Sequence, residues 1–195
     1  MVQVGLTGGI GSGKTLICSI FEKLGVPVYY ADVEAKRLMN LDIDLKQQIV
    51  ELFGTEAYKG ESVDRKFLAD RVFGDFDLIA KLNQLVHPAV RMDYLKWVEL
   101  QTESFYVMEE AAILFESGVH LLMDFTVLVS APEDIRIRRV MQRDQTSREQ
   151  VISRMKHQMG EDEKMKYADY IIYNDEKQML IPQVIAFHEK ILNEG

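Results

Sequence analysis

Cysteine is almost missing from this 195-residue chain: Cys18 stands alone, so no disulfide can close within it. That fits a reducing compartment, and the expected location is cytoplasmic. Long apolar runs are missing too. No stretch comes near the ~18 consecutive apolar residues of a membrane-spanning helix, so no membrane partner is expected. Met1-Val2-Gln3-Val4 carries no basic leader ahead of an apolar segment, so no signal peptide is expected either. Positive charge is in deficit. Acids outnumber Lys and Arg 31 to 23, a formal charge of −8. General nucleic-acid binding rests on neutralising phosphates with basic groups, and is not expected here. Repeats and low-complexity tracts are also missing.

What is present is an ordinary globular composition, 47 % hydrophobic, long enough for one domain with small subdomains. A monomer or weak homo-oligomer is the expected assembly. Positive charge, scarce overall, is concentrated in one segment. Arg136, Arg138, Arg139, Arg143, Arg148 and Arg154 face only Asp144 and Glu149. Such a run is either a solvated helix face or a cover for a polyanionic small substrate.

The apolar pattern alternates between strands and helices. Val2–Leu6 is strand-like, a Gly-rich turn follows, and Ile17, Ile20, Phe21 and Leu24 mark one face of a helix. Gly25 ends that helix and Pro27–Tyr30 reads as a second strand. This is a βαβ unit, which implies a parallel sheet. From about residue 34 to 101 the pattern is helical, with stripes at Leu45, Ile49, Leu52 and Phe53 and at Leu78, Leu82 and Leu85. Pro88 is expected to open a further helix through Val90, Tyr94, Trp97 and Val98. Strands resume at Phe105–Met108, ending in Glu109-Glu110, then at Phe125–Val129 and Tyr170–Tyr173. Pro132 opens the arginine-bearing helix. A final helix spans about residues 176–192, with its apolar face at Ile181, Val184, Ile185, His188 and Leu192. The expected fold is α/β: a five-stranded parallel sheet flanked by helices, with ligands bound beyond the carboxyl ends of the strands.

Gly8-Gly9-Ile10-Gly11-Ser12-Gly13-Lys14-Thr15 matches G-x-x-x-x-G-K-[ST] between a strand and a helix, the context that a P-loop needs. Its backbone N–H groups point at phosphate, and the following helix adds its positive end. Lys14 reaches the β- and γ-phosphates and the Thr15 hydroxyl holds Mg²⁺. The N-K-x-D motif of GTPases is absent. A small-molecule kinase needs in addition a base, an acceptor site and cationic cover. Asp32, just past the second strand, is either that base or the N-cap of the next helix. Glu110 is the expected water-mediated support for Mg²⁺, with Glu109 the alternative on the opposite face.

The opening Gly5-Leu6-Thr7-Gly8-Gly9-Ile10-Gly11-Ser12-Gly13-Lys14-Thr15 resembles the start of dephospho-CoA kinases. The resemblance continues at Leu24-Gly25-Val26-Pro27, Ala31-Asp32, Ala35-Lys36, Val72-Phe73 and His87-Pro88-Ala89-Val90-Arg91. It returns at Leu114-Phe115-Glu116-Ser117-Gly118, Gln142-Arg143-Asp144, Gln158 and Ala168–Asn174, and so spans nearly the whole chain. It implies a P-loop nucleotide-kinase fold with a core (about 1–33, 102–132 and 168–195), a helical CoA-binding insertion (about 34–101) and a lid (about 133–167). It implies ATP-dependent phosphorylation of the ribose 3′-hydroxyl of dephospho-CoA, the last step of CoA synthesis, with Asp32 as base and Mg²⁺ as cofactor.

The implied ATP contacts are Gly9, Ile10, Gly11, Ser12, Gly13, Lys14, Thr15 and Leu16, with Arg139, Arg143 and Asn174. Lys14, Arg139 and Arg143 are the implied catalytic cations. The implied acceptor contacts are Asp32, His87, Arg91, Leu114 and Glu116, with helix capping the alternative for His87. Leu38, Leu114 and Phe115 either line the pantetheine crevice or belong to the core. Two positions depart from many members: Tyr30 replaces an acid and Ala112 a proline. A nucleoside or nucleotide kinase is the rival enzyme reading, and a non-catalytic nucleotide sensor the third.

Overall fold

A computed structural model describes residues 1–72 and 74–194. Phe73, half of the Val72-Phe73 pair, lies outside the described residues. The chain begins β1 (Val2–Thr7), α1 (Lys14–Lys23) and β2 (Val28–Tyr30). It continues α2 (Ala31–Leu41), α3 (Ile43–Phe53), β3 (Tyr58–Lys59), β4 (Ser62–Val63), α4 (Arg65–Val72) and α5 (Phe76–Glu99). Then come β5 (Tyr106–Glu110), β6 (Phe125–Ser130), α6 (Glu133–Asp144), α7 (Arg148–Met155), α8 (Glu161–Tyr167), β7 (Tyr170–Tyr173) and α9 (Leu180–Glu194). Two compact units result: Met1–Tyr30 with the chain from Gln101 onward, and Ala31–Leu100.

The first unit holds the five-stranded sheet, in the order β2-β5-β1-β6-β7, with every neighbouring pair parallel. All five strands therefore end at one edge, where Thr7, Tyr30, Glu110, Ser130 and Tyr173 are carried. The central strands are apolar on both faces, as a parallel sheet covered by helices requires. Val4, Leu6, Val127, Val129 and Ile172 pack with Ile17 and Phe21 of α1 and Val184, Phe187 and Ile191 of α9.

Two expectations about helix faces shift. Leu24, the C-cap of α1, is exposed, and Cys18 joins Ile17 and Phe21 in the core. In α9 the buried stripe is Val184, Phe187 and Ile191, while Ile181, Ile185 and Leu192 face solvent. Both α9 stripes have helical spacing and share Val184, so periodicity alone cannot choose between them. The sheet chooses. The Phe187 ring lies 5.0 Å from Tyr170 and 6.0 Å from Phe21.

The second unit is mostly helical. Leu38, Leu45, Ile49, Phe53, Leu68 and Val86 form its core, with Leu78, Leu82 and Leu85 packed against them. The antiparallel pair β3–β4, two residues per strand and turning at Gly60, lies within the segment expected to be helical. Pro88 does not open a helix. It lies inside α5, a single helix of 24 residues. An interior proline removes one hydrogen bond and costs about 3 kcal/mol. Apolar residues on both sides of Pro88, from Leu78 to Val90, pack on the same core, and their burial outweighs that cost. His87 is accordingly a mid-helix residue and not a cap.

Candidate active site

The loop after β1 is shaped by close packing on its outer side. Gly11 and Gly13 have φ of 81° and 97°, a region that L side chains rarely adopt. A Cβ on Gly11 would meet the Arg136 carbonyl oxygen at 2.5 Å, and one on Gly13 would strike the Asn174 amide. Within the loop the Ser12 N–H donates to the Gly9 carbonyl at 3.0 Å. α1 starts at Lys14, so the loop runs directly into a helix N-terminus. Lys14 Nζ donates to the Gly8 carbonyl at 3.0 Å and lies 3.8 Å from the Glu110 carboxylate. The Thr15 hydroxyl belongs to an exposed residue, and Leu16 is exposed beside it.

Asn174, one residue past β7, ties this loop to the neighbouring segment. Its Nδ2 donates to the Ser12 carbonyl at 2.7 Å, and its N–H to the Ser130 carbonyl at 2.7 Å. Arg139 of α6 donates to the Asn174 backbone and side-chain oxygens, each at 3.2 Å, and pairs with Glu176 at 3.2 Å. The buried Arg139 Nη1 has no hydrogen-bond partner, leaving a donor beside the P-loop. Arg143 is arranged differently. Its exposed guanidinium pairs with Asp144 at 2.7 Å, and Asp144 also pairs with Arg154 at 2.7 Å. These two arginines hold the Asp144 carboxyl far below the usual carboxylate range. The structure thus brings Arg139 to the loop and holds Arg143 at Asp144.

Glu109 and Glu110 end β5, both buried. Glu110 is the one whose carboxylate lies beside Lys14. Burial raises the Cys18 thiol first, and the Glu110 charge raises it further. The Tyr30 phenol is shifted up by burial first, and then by its neighbours Cys18 and Glu22. Among the described residues no cluster of three His, Cys, Asp or Glu is arranged as a metal cage. The oxygen groups beside the loop are the Thr15 hydroxyl and the Glu110 carboxylate, the hard donor type that Mg²⁺ prefers.

Two expected acceptor residues of this unit are engaged internally. Leu114 is fully buried, with its methyls against Gly5 of β1, and Phe115 is buried as well. Both are core side chains here. Glu116 accepts from the Met159 N–H at 2.8 Å and pairs with buried Lys164 at 3.0 Å.

The other three lie in the second unit. α2 begins at Ala31, so Asp32 sits within its first turn and is not a cap. Its carboxylate is exposed. His87 and Arg91 lie one turn apart on α5. Burial pulls the His87 imidazole below its ordinary range, which favours the neutral ring. The Arg91 guanidinium sits 5.2 Å from the Tyr94 ring centroid, and its buried Nη1 has no hydrogen-bond partner.

The family model for dephospho-CoA kinase matches residues 2–179 of this chain. The chain belongs to the dephospho-CoA kinase family. A dephospho-CoA kinase from Salinibacter ruber is 42 % identical over 90 % of this chain and 89 % of its own. A crystal structure of a Thermus thermophilus protein is 33 % identical and superposes with a TM-score of 0.85, covering 99 % of this chain and 97 % of that one. The dephospho-CoA kinase of Campylobacter jejuni is 25 % identical with a TM-score of 0.70, covering 98 % of each chain. The fold is that of P-loop kinases, with the strand order given above.

For a dephospho-CoA kinase family member, two residues beside the loop escaped the sequence reading as site residues. Arg136 is buried, donates to the Ala131 carbonyl at 2.9 Å, and packs its guanidinium where a Gly9 side chain would go. Its position in an arginine run gave no sign of burial. Gln158 accepts a hydrogen bond from the Ile10 N–H at 2.9 Å. It stood among the residues carrying the family resemblance, but without an assigned role. A cavity of about 1180 Å³ lies among α6, α7 and α8, lined by Arg136, Lys156, Glu161, Tyr167 and Tyr173 among others. P-loop residues do not line it.

Proposed function

We propose that this chain transfers the γ-phosphoryl group of ATP to the ribose 3′-hydroxyl of dephospho-CoA, giving CoA. The match to the family over residues 2–179, with the loop Gly8–Thr15 intact, carries this reading. Residues 34–101 form the acceptor-binding insertion and 133–167 the lid in this proposal, and the working compartment is the cytoplasm.

Each residue then has a chemical task. The loop amides and the α1 N-terminus receive the phosphates. Lys14, held by the Gly8 carbonyl, swings to the β- and γ-phosphates, and Arg139 adds charge from α6. Arg143 joins the phosphates by exchanging its Asp144 partner for them. The Thr15 hydroxyl and, through water, Glu110 would hold Mg²⁺, which would supply neutralisation of the charge on the transferring group. Asp32 accepts the ribose hydroxyl proton as the oxygen attacks phosphorus in line with the leaving β-phosphate oxygen. His87, kept neutral by burial, serves as a hydrogen-bonding group, and Arg91 offers an unpaired donor to an acceptor phosphate.

An assay with ATP, Mg²⁺ and dephospho-CoA, run beside a panel of nucleosides and nucleotides, tests the proposal. CoA formation with preference over the panel is expected. Protein that binds ATP and makes no CoA overturns it.

A further inference from the structure

We infer that Gln158 is a positioning residue for the nucleotide: it fixes the tip of the P-loop through Ile10 and couples the α7–α8 connection to phosphate binding. The inference rests on the nucleotide half of the proposed reaction and not on the acceptor.

Three separate stretches of chain meet at this amide. Gln158 Oε1 accepts from the Ile10 N–H at 2.9 Å, and Nε2 donates to the Ala112 carbonyl at 3.3 Å. Ala112 lies two residues past the end of β5, the strand that carries Glu110. Gln158 is itself held from behind: its N–H donates to the Met155 carbonyl at 3.0 Å, and the next N–H, of Met159, donates to Glu116 at 2.8 Å. The Ile10 side chain makes a second, independent attachment to the same segment. It packs on Ile137, Val140 and Val151, each at most 1 % exposed, together with Ile152 and Met155. The loop tip is thus held by backbone and side chain at once, through residues of α6, α7 and the α7–α8 connection.

The chemistry selects glutamine. A primary amide carries its acceptor and its donor on separate atoms, so it accepts from Ile10 while donating to Ala112. Glutamate would keep the acceptor, lose the donor, and add negative charge beside a phosphate site. Methionine would fill the space and satisfy neither partner. A P-loop binds phosphate by presenting N–H groups in a fixed concave array, so holding its tip lowers the ordering needed on binding. Asn174 holds the other end of the loop at Ser12. Gln158 supplies the matching restraint at Ile10.

The test is Gln158→Met in the full chain, with calorimetric titration of MgATP and, separately, of dephospho-CoA. ATP affinity is expected to fall about tenfold, the size of one net hydrogen bond. Dephospho-CoA affinity should stay within about twofold, while the midpoint of thermal unfolding should fall by only about 2–4 °C, the loss of one net hydrogen bond. Unchanged ATP affinity overturns the inference. Equal weakening of both ligands with an unfolding midpoint lowered beyond that overturns it as well, since that is a structural effect. A second measurement uses the wild-type chain and stands even if the variant does not fold. The Ile10 amide should show a through-hydrogen-bond coupling to the Gln158 side-chain carbonyl carbon, and an Ile10 amide that exchanges freely with solvent overturns the inference. Wild-type protein that binds ATP without phosphorylating dephospho-CoA would refute only the acceptor assignment.

Discussion

Asp32 carries an exposed carboxylate in the first turn of α2, where the helix dipole favours a negative charge. A residue with this setting can be neutralised at little structural cost, so Asp32→Asn separates chemistry from folding. It should bind ATP with wild-type affinity and lose about 10²–10⁴ in turnover, as removal of a general base does. Near-wild-type turnover in a single-turnover measurement would exclude Asp32 as the base. His87 offers a test through pH. Burial depresses its folded-state pKa, so as pH falls below the ordinary imidazole value of about 6.5 the unfolded chain gains a proton that the folded chain resists. Stability from this residue is therefore complete above that pH and lost below it. Urea midpoints between pH 7 and 5 should fall more steeply for the wild type than for His87→Gln. Equal slopes would show that His87 titrates alike in both states.

α9 shows how a helix can be expected in the right part of the chain and still differ in bounds and rotation: it spans Leu180–Glu194 where about 176–192 was expected. Its buried stripe, Val184, Phe187 and Ile191, is turned from the stripe through Ile181, Ile185 and Leu192. Phe187→Ala should cost about 3–5 kcal/mol by chemical denaturation, since it empties a fully buried aromatic site. Ile181→Ala, at an exposed position, should change stability by no more than about 0.5 kcal/mol. The reverse ranking would restore the rotation that periodicity suggested. α5 shows the opposite relation. Its rotation follows the Leu78, Leu82 and Leu85 stripe, while its length overrides the proline that the local rules would place at an end. Local rules weigh one hydrogen bond, and the packed face weighs many side chains.

At the scale of the molecule, the parallel sheet gathers five strand ends at one edge, and the P-loop leaves its central strand there. The second unit, Ala31–Leu100, has its own core and bears Asp32, His87 and Arg91. MgATP should therefore stabilise the protein by mass action, by about 2.7 kcal/mol at a ligand concentration of 100 times Kd. Hydrogen-exchange protection should concentrate at Gly8–Leu16 and the α6–α8 segment with ATP, and in α2 and α5 with dephospho-CoA. Protection by ATP confined to the second unit would contradict the division of labour proposed here.

The sequence by itself determined the five strands of the parallel sheet, most helices and the P-loop, because strand periodicity, loop glycines and the Gly-Lys-Thr signature are local features that a single chain displays in order. The family resemblance pointed to Arg139 and Asn174 as ATP contacts, and only the structure sets Asn174 against the loop at Ser12 and Arg139 against Asn174. Tertiary structure alone decided which face of α9 is buried, since two stripes were equally periodic and only the sheet distinguished them. It decided that Leu114 is core and that Arg143 is held by Asp144. It decided the burial of Arg136 against Gly9, 127 positions away in the chain, and the bond from Ile10 to Gln158, 148 positions away. Contacts of that separation leave no periodic trace, because they depend on where folding brings two segments and not on what either segment prefers.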